Sequence, residues 1–199
     1  MEDNWQLWQS QLQSCLGCDL CRTRTNIVCG CGNRNAEIML LGEAPGRQED
    51  ATGQPFCGAA GAKLEAFLQQ LQLDKNDIYI GNVVKCRPVR PAAGGRGYAN
   101  RRPSKQEILA CGSWLKREIA LLRPRLVITL GAVPLSLFLG KNPVMADWHG
   151  CPFQVDGADM MVFPLYHPAA VIYDRKKESD YIADLQDLRQ FLQKNHLGE

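Results

Sequence analysis

The sequence predicts an α/β chain, a three-layer α/β/α sandwich around a central, mostly parallel four-stranded sheet. Three observations predict it. Four apolar runs, Ile38 to Leu41, Ile78 to Val84, Leu126 to Leu130 and Met160 to Leu165, have the length and composition of strands buried on both faces. Stretches with apolar residues at helical spacing separate them, the βαβ pattern of a parallel sheet. The first run stops at a glycine and opens into a polar loop, at the strand's carboxyl end, where open α/β sheets bind ligands. With 199 residues the chain suits one domain, taken as 1–199.

Taken in order, residues from about Asn4 to Gln13 read as an amphipathic helix, with Trp5, Leu7, Trp8, Leu12 and Leu16 as its apolar face. It delivers Cys15 to a turn. Cys15-x-x-Cys18-x-x-Cys21 then sets three thiols in one short loop, at a spacing where two thiolates grip a metal without strain. Cys86, ending a buried strand, and Cys111, in the next helix, are the best placed to complete a four-sulfur set. Zinc and an iron-sulfur cluster both accept four cysteines, so the ligand count leaves the metal open. Cys29, Cys31, Cys57 and Cys151 fit ordinary buried thiols.

From Gly42 to Gly61 the chain reads GEAPGRQEDATGQPFCGAAG. Glu43, Glu49 and Asp50 supply carboxylates, and Phe56 offers an aromatic face for a planar ring. A helix follows from near Ala60, with Leu64, Phe67, Leu68 and Leu71 as its buried stripe. In the next strand Asn82 is an amide among apolar neighbours; it serves either as a structural group bonded to backbone or as a reader of a pyrimidine's adjacent carbonyl and N–H. The segment Cys86 to Pro103 is dense in Arg, Gly and Pro and reads as an exposed basic loop suited to phosphate contacts, with Arg87, Arg101 and Arg102 as candidates. Ser104-x-x-Glu107 is a capping box opening a helix through Leu121. Gly131 opens another helix. His167, fixed by Pro168 at the end of the last apolar run, falls at the same sheet edge as Glu43 and Asn82 if the strands are parallel. His149 and His196 lack such a context. Ser179 to Lys194, with Ile182, Leu185, Leu188, Phe191 and Leu192, reads as a closing amphipathic helix.

A net charge of +2 is too small to prove a polyanion partner. No run approaches membrane-spanning length, and no membrane partner is expected. The first residues carry acids and glutamines where an export signal needs a basic start and an apolar middle. Nine cysteines without such a signal argue for reduced thiols, some on metal, and a cytoplasmic location.

Together these motifs resemble family 4 uracil-DNA glycosylases, the iron-sulfur branch of that superfamily. The resemblance covers nearly the whole chain: the CxxC at Cys15 and Cys18, TRTNIVCGCGNRNA, GEAPGRQED at Gly42, GQPFCGAAG at Gly53, NVVKCRP at Asn82 and YHPAA at Tyr166. It implies a [4Fe-4S] cluster on Cys15, Cys18, Cys86 and Cys111, built from the regions 15–21 and 86–111, with Cys21 left out. It implies a monomer that acts on uracil in single- or double-stranded DNA, flips the base from the stack and leaves an abasic site. Phe56 would stack on the ring, Asn82 would pair with its O4 and N3 edge, the backbone of Gly42 and Ala44 would line the pocket, and His167 would donate toward O2. Better-known branches carry Asp or Asn where this chain has Ala44, which leaves Glu43 or Glu49 to stabilise the cation or orient water. The segment between Cys86 and Cys111 is longer than the family pattern through Ala92 to Tyr98. A branch that traps uracil covalently carries a reactive His in an extra loop there, and the loop of this chain has none. A catalytically weak uracil- or DNA-binding damage sensor of the same fold is the second expectation, against which Glu43, Glu49, Asn82 and His167 all stand.

Overall fold

The structure, a computed structural model, describes residues 2–168 and 175–198. Ala169 and Ala170 of the YHPAA motif lie outside the described residues. The chain runs α1 (Glu2–Gln13), β1 (Cys31–Gly32), β2 (Ile38–Gly42), α2 (Arg47–Thr52), α3 (Ala59–Leu71), β3 (Ile78–Asn82), β4 (Val89–Pro91), β5 (Tyr98–Asn100), α4 (Lys105–Leu122), β6 (Leu126–Leu130), α5 (Ala132–Leu139), β7 (Phe153–Gln154), β8 (Met161–Leu165) and α6 (Arg175–Lys194).

The four apolar runs form the parallel centre, β3-β2-β6-β8. The sheet has six strands rather than four, because β1 pairs antiparallel with β3 and β7 with β8 at the two edges. Each edge strand is two residues long and carries no apolar run, so nothing in its composition announces it.

Alternation along the central strands sends neighbouring side chains to opposite faces. Met39, Leu41, Val127 and Val162 pack under Trp5, Trp8 and Leu12 of α1, Leu115 and Leu122 of α4, and Val133 and Leu135 of α5. Ile38, Leu40, Ile128 and Phe163 pack on the other face under Leu64, Phe67 and Leu68 of α3 and Leu185, Leu188 and Leu192 of α6. Trp8 is fully buried, contributing about 2–3 kcal/mol of apolar burial, and its indole N–H donates to the Trp114 carbonyl at 3.2 Å.

Several expectations need correction. Leu7 and Leu16 are exposed rather than part of the α1 face: Leu7 falls on the opposite side from Trp5, Trp8 and Leu12, and Leu16 lies past the helix end. Ile182 is likewise exposed on α6. Cys31, Cys57 and Cys151 are exposed, not buried. The Gly42 to Gly61 stretch holds the short helix α2, closed by Gly53 at φ 75°, a left-handed position that glycine takes without steric cost. The basic segment is an antiparallel hairpin, with Val89 opposite Asn100 and Pro91 opposite Tyr98.

Candidate functional site

The site begins where β2 and β3 end together. Gly42 and Asn82 are partners in the parallel register, and the pairing continues past the strands as Val83 N–H donates to the Gly42 carbonyl and Val84 N–H to that of Glu43. A β-carbon at Gly42 would collide with Asn82 Oδ1 and press on the Phe56 ring. Only glycine lets the amide and the ring close in from either side of this strand end. Phe56 holds φ 51°, which is uncommon for an aromatic residue, and its carbonyl packs so tightly on Gly61 that a side chain there is excluded.

A cleft of about 520 Å³ opens at this sheet edge. Ala44, Glu49, Phe56, Asn82 and His167 line it, so residues expected from three separate segments meet at one place. Arg47, Gln48 and Asn100 line it too. Sequence reasoning passed over these three. Arg47 and Gln48 fall inside the stretch singled out as a pocket wall, whereas Asn100 arrives on β5 with no local signal.

The carboxylates divide by environment. Glu49 is buried, with one oxygen accepting from the Gly58 N–H at 3.3 Å. Asp50 turns away from the cleft and accepts from Thr25 N–H at 2.9 Å, pinning the 25–26 segment to α2. Glu43 sits beside the cleft with Arg102 at 3.9 Å; burial pushes its pKa above the ordinary carboxylate range, and the Arg102 charge draws it part of the way back.

The three arginines also differ. Arg87 is only 9% exposed and donates Nε to Asn100 Oδ1 at 2.7 Å and a terminal N–H to the Tyr98 carbonyl at 3.3 Å. Arg101 grips Glu107 through two N–H groups and bonds the Val89 carbonyl at 2.8 Å. Arg87 thus ties the base of the hairpin to its second strand, and Arg101 ties the hairpin to α4. Arg102, Arg90 and Arg96 are the exposed ones.

On the opposite side of Lys85, Cys15, Cys18, Cys86 and Cys111 line a single cavity with Leu12, Leu20 and Ile27. Cys21 is not in its lining. Two donors aim at the sulfurs: Lys85 N–H to Cys111 at 3.3 Å and Arg24 to Cys86 at 3.5 Å. Burial pushes the thiols of Cys18 and Cys86 up and that of Cys111 up to about 11, so only a strong cationic partner would hold them as thiolates. Among the described residues, no three Cys, His, Asp or Glu groups are near enough to hold one metal ion.

His149 has more context than its sequence suggested. Its Nδ1 lies 2.9 Å from Asp184 of α6, and its ring packs 4.6 Å from Tyr166, the residue before His167.

Residues 29–189 match the family described as the uracil DNA glycosylase superfamily. The chain is 38% identical over 184 residues to a type-4 uracil-DNA glycosylase of Archaeoglobus fulgidus, covering 89% of this chain and 88% of that one. It is 39% identical over 179 residues to one of Saccharolobus solfataricus (86% and 79% covered) and 34% identical over 196 residues to one of Thermotoga maritima (97% of each).

Proposed function

Since the chain belongs to the uracil DNA glycosylase superfamily, we propose that it excises uracil from DNA, hydrolysing the N-glycosidic bond to leave free uracil and an abasic site. What carries the reading is the meeting of Phe56, Asn82 and His167 at one cleft on the carboxyl edge of the parallel sheet. An extruded uracil would lie against Phe56 while the Asn82 amide matches its carbonyl and N–H edge. The glycosidic electron pair leaves with the base, so negative charge grows on uracil and positive charge on the sugar. A donor such as His167, held at the base's O2, then lowers the barrier more than it stabilises bound substrate. Glu49 in the cleft and Glu43 at its edge place negative charge toward the sugar cation; a water adds to that cation, and the proton it sheds balances the one the uracil anion takes up. Ala44 contributes backbone and no side-chain base.

The four cavity cysteines would hold a [4Fe-4S] cluster. Supporting this are their shared, mostly apolar cavity and the N–H donors on two sulfurs. When bound, the cluster would cross-link the 15–21 loop, the segment after β3 that carries Cys86, and α4, a structural chemistry. Arg102, with Arg90 and Arg96, would meet phosphates of single- or double-stranded DNA. We take the chain to act as a monomer through one glycosylase domain.

The test is incubation with oligonucleotides carrying one uracil or one thymine, followed by alkali. Cleavage of the uracil strand alone is the expected result. Binding of the uracil strand without cleavage would replace the reading with a damage sensor.

A further inference from the structure

Between the cleft and the thiol cavity stands a buried ion pair that the excision chemistry does not use. Lys85 is 1% exposed and Glu118 is fully buried, and their charged groups are in contact. The second Glu118 oxygen accepts from the Tyr79 hydroxyl at 2.9 Å, and Lys85 Nζ also donates to the main-chain carbonyl of Asn82 at 2.8 Å. The main-chain N–H of Lys85 points the other way, onto Cys111 Sγ. Cys111 and Glu118 are seven residues apart on α4 and share one face of it, so one helix face and one lysine span the distance from thiol cavity to cleft. A buried charge pair adds little to stability over apolar residues of the same size, so a pair in this place invites a positional role.

We propose that Lys85 is a positioning residue coupling the cavity of Cys111 to Asn82, so that a group held by the thiols fixes the base-reading amide. Coupling is reciprocal: a base held by Asn82 must then stabilise the group held at Cys111. This rests on the excision reading and deepens it, giving the thiol-bound group a task in base recognition.

The experiment uses the full chain carrying its iron and sulfide, with free uracil as the probe. A chelator series bleaches the visible absorbance, and the chelator concentration that removes half of it once the reading is steady is compared with and without saturating uracil. The wild type is expected to need about fivefold more chelator with uracil, the lower end of ordinary coupling. In the double variant Lys85→Met with Glu118→Gln, which leaves no unpaired buried charge, uracil at equal occupancy gives no such shift. Tyr79→Phe, one hydroxyl smaller, makes the same comparison should the double variant fail to fold, and it is expected to lose part of the shift. No protection in the wild type overturns the proposal, as does equal protection in wild type and variants. Excision of uracil by a wild type that shows no protection would leave the functional reading standing and remove the coupling alone.

Discussion

Glu43 is the side chain whose state the surroundings most directly set. Burial favours its neutral form and the Arg102 guanidinium opposes this only in part, so its folded pKa lies above the ordinary value. The sign follows: as pH falls, Glu43 loses its charge before an ordinary carboxylate would. If its charge steadies the sugar cation, excision should fall on the acid side at a pH above the ordinary glutamate value of about 4.3. Arg102→Ala should move that limb to higher pH, and Glu43→Gln should abolish it; rates over a pH series read both. An unmoved limb in both variants would take Glu43 out of the chemistry. Most of the residue detail was legible because Gly42 and His167 each follow an apolar run and Asn82 interrupts one, and parallel strands deliver their ends to one edge. Asn100 and the inward direction of Arg87 were not, since both depend on a hydrogen bond made across the hairpin.

At the scale of elements, the start of α4 shows how one local signal fixes a larger piece. Ser104 and Glu107 form the reciprocal cap their spacing predicts, with Ser104 N–H donating to Glu107 Oε2 at 2.7 Å. Glu107 also receives Arg101, so the cap anchors the basic hairpin to the helix that carries Cys111. Arg101 holds the Glu107 pKa below its ordinary value. The cap's contribution is therefore complete above about pH 4.3 and is lost as pH falls through the lower folded value. Glu107→Ala should cost about 2 kcal/mol at neutral pH and much less in acid, a difference that urea unfolding at two pH values measures. An equal cost at both would deny the ion pair its part. The parallel strands were legible as apolar runs and the helices as stripes. The β4–β5 hairpin was hidden because its strands, Val89 to Pro91 and Tyr98 to Asn100, are three residues each, too short to show a period, and α2 because its six residues carry no apolar period.

Over the whole molecule, segments distant in the chain are brought to two places, the cleft and the thiol cavity, joined through the end of β3 and the face of α4. The cavity makes a prediction about composition: Cys86→Ser should bleach the visible absorbance of a bound cluster, whereas Cys21→Ser, outside the cavity lining, should leave it intact. Equal loss in both would mean another ligand set. That Cys15 and Cys18 sit together was readable from spacing, whereas Cys86 does not end a strand as expected, since β3 stops at Asn82; that α4 supplies both Cys111 and the buried partner of Lys85 needed the packing. The cleft makes the sharper demand. Single-turnover release of uracil by Asn82→Ala and His167→Ala, each checked for native unfolding and retained absorbance, should fall by roughly 10²–10³-fold, the cost of losing a preorganised donor at a developing charge. Wild-type rates in either folded variant would contradict the placement of the base between Phe56, Asn82 and His167.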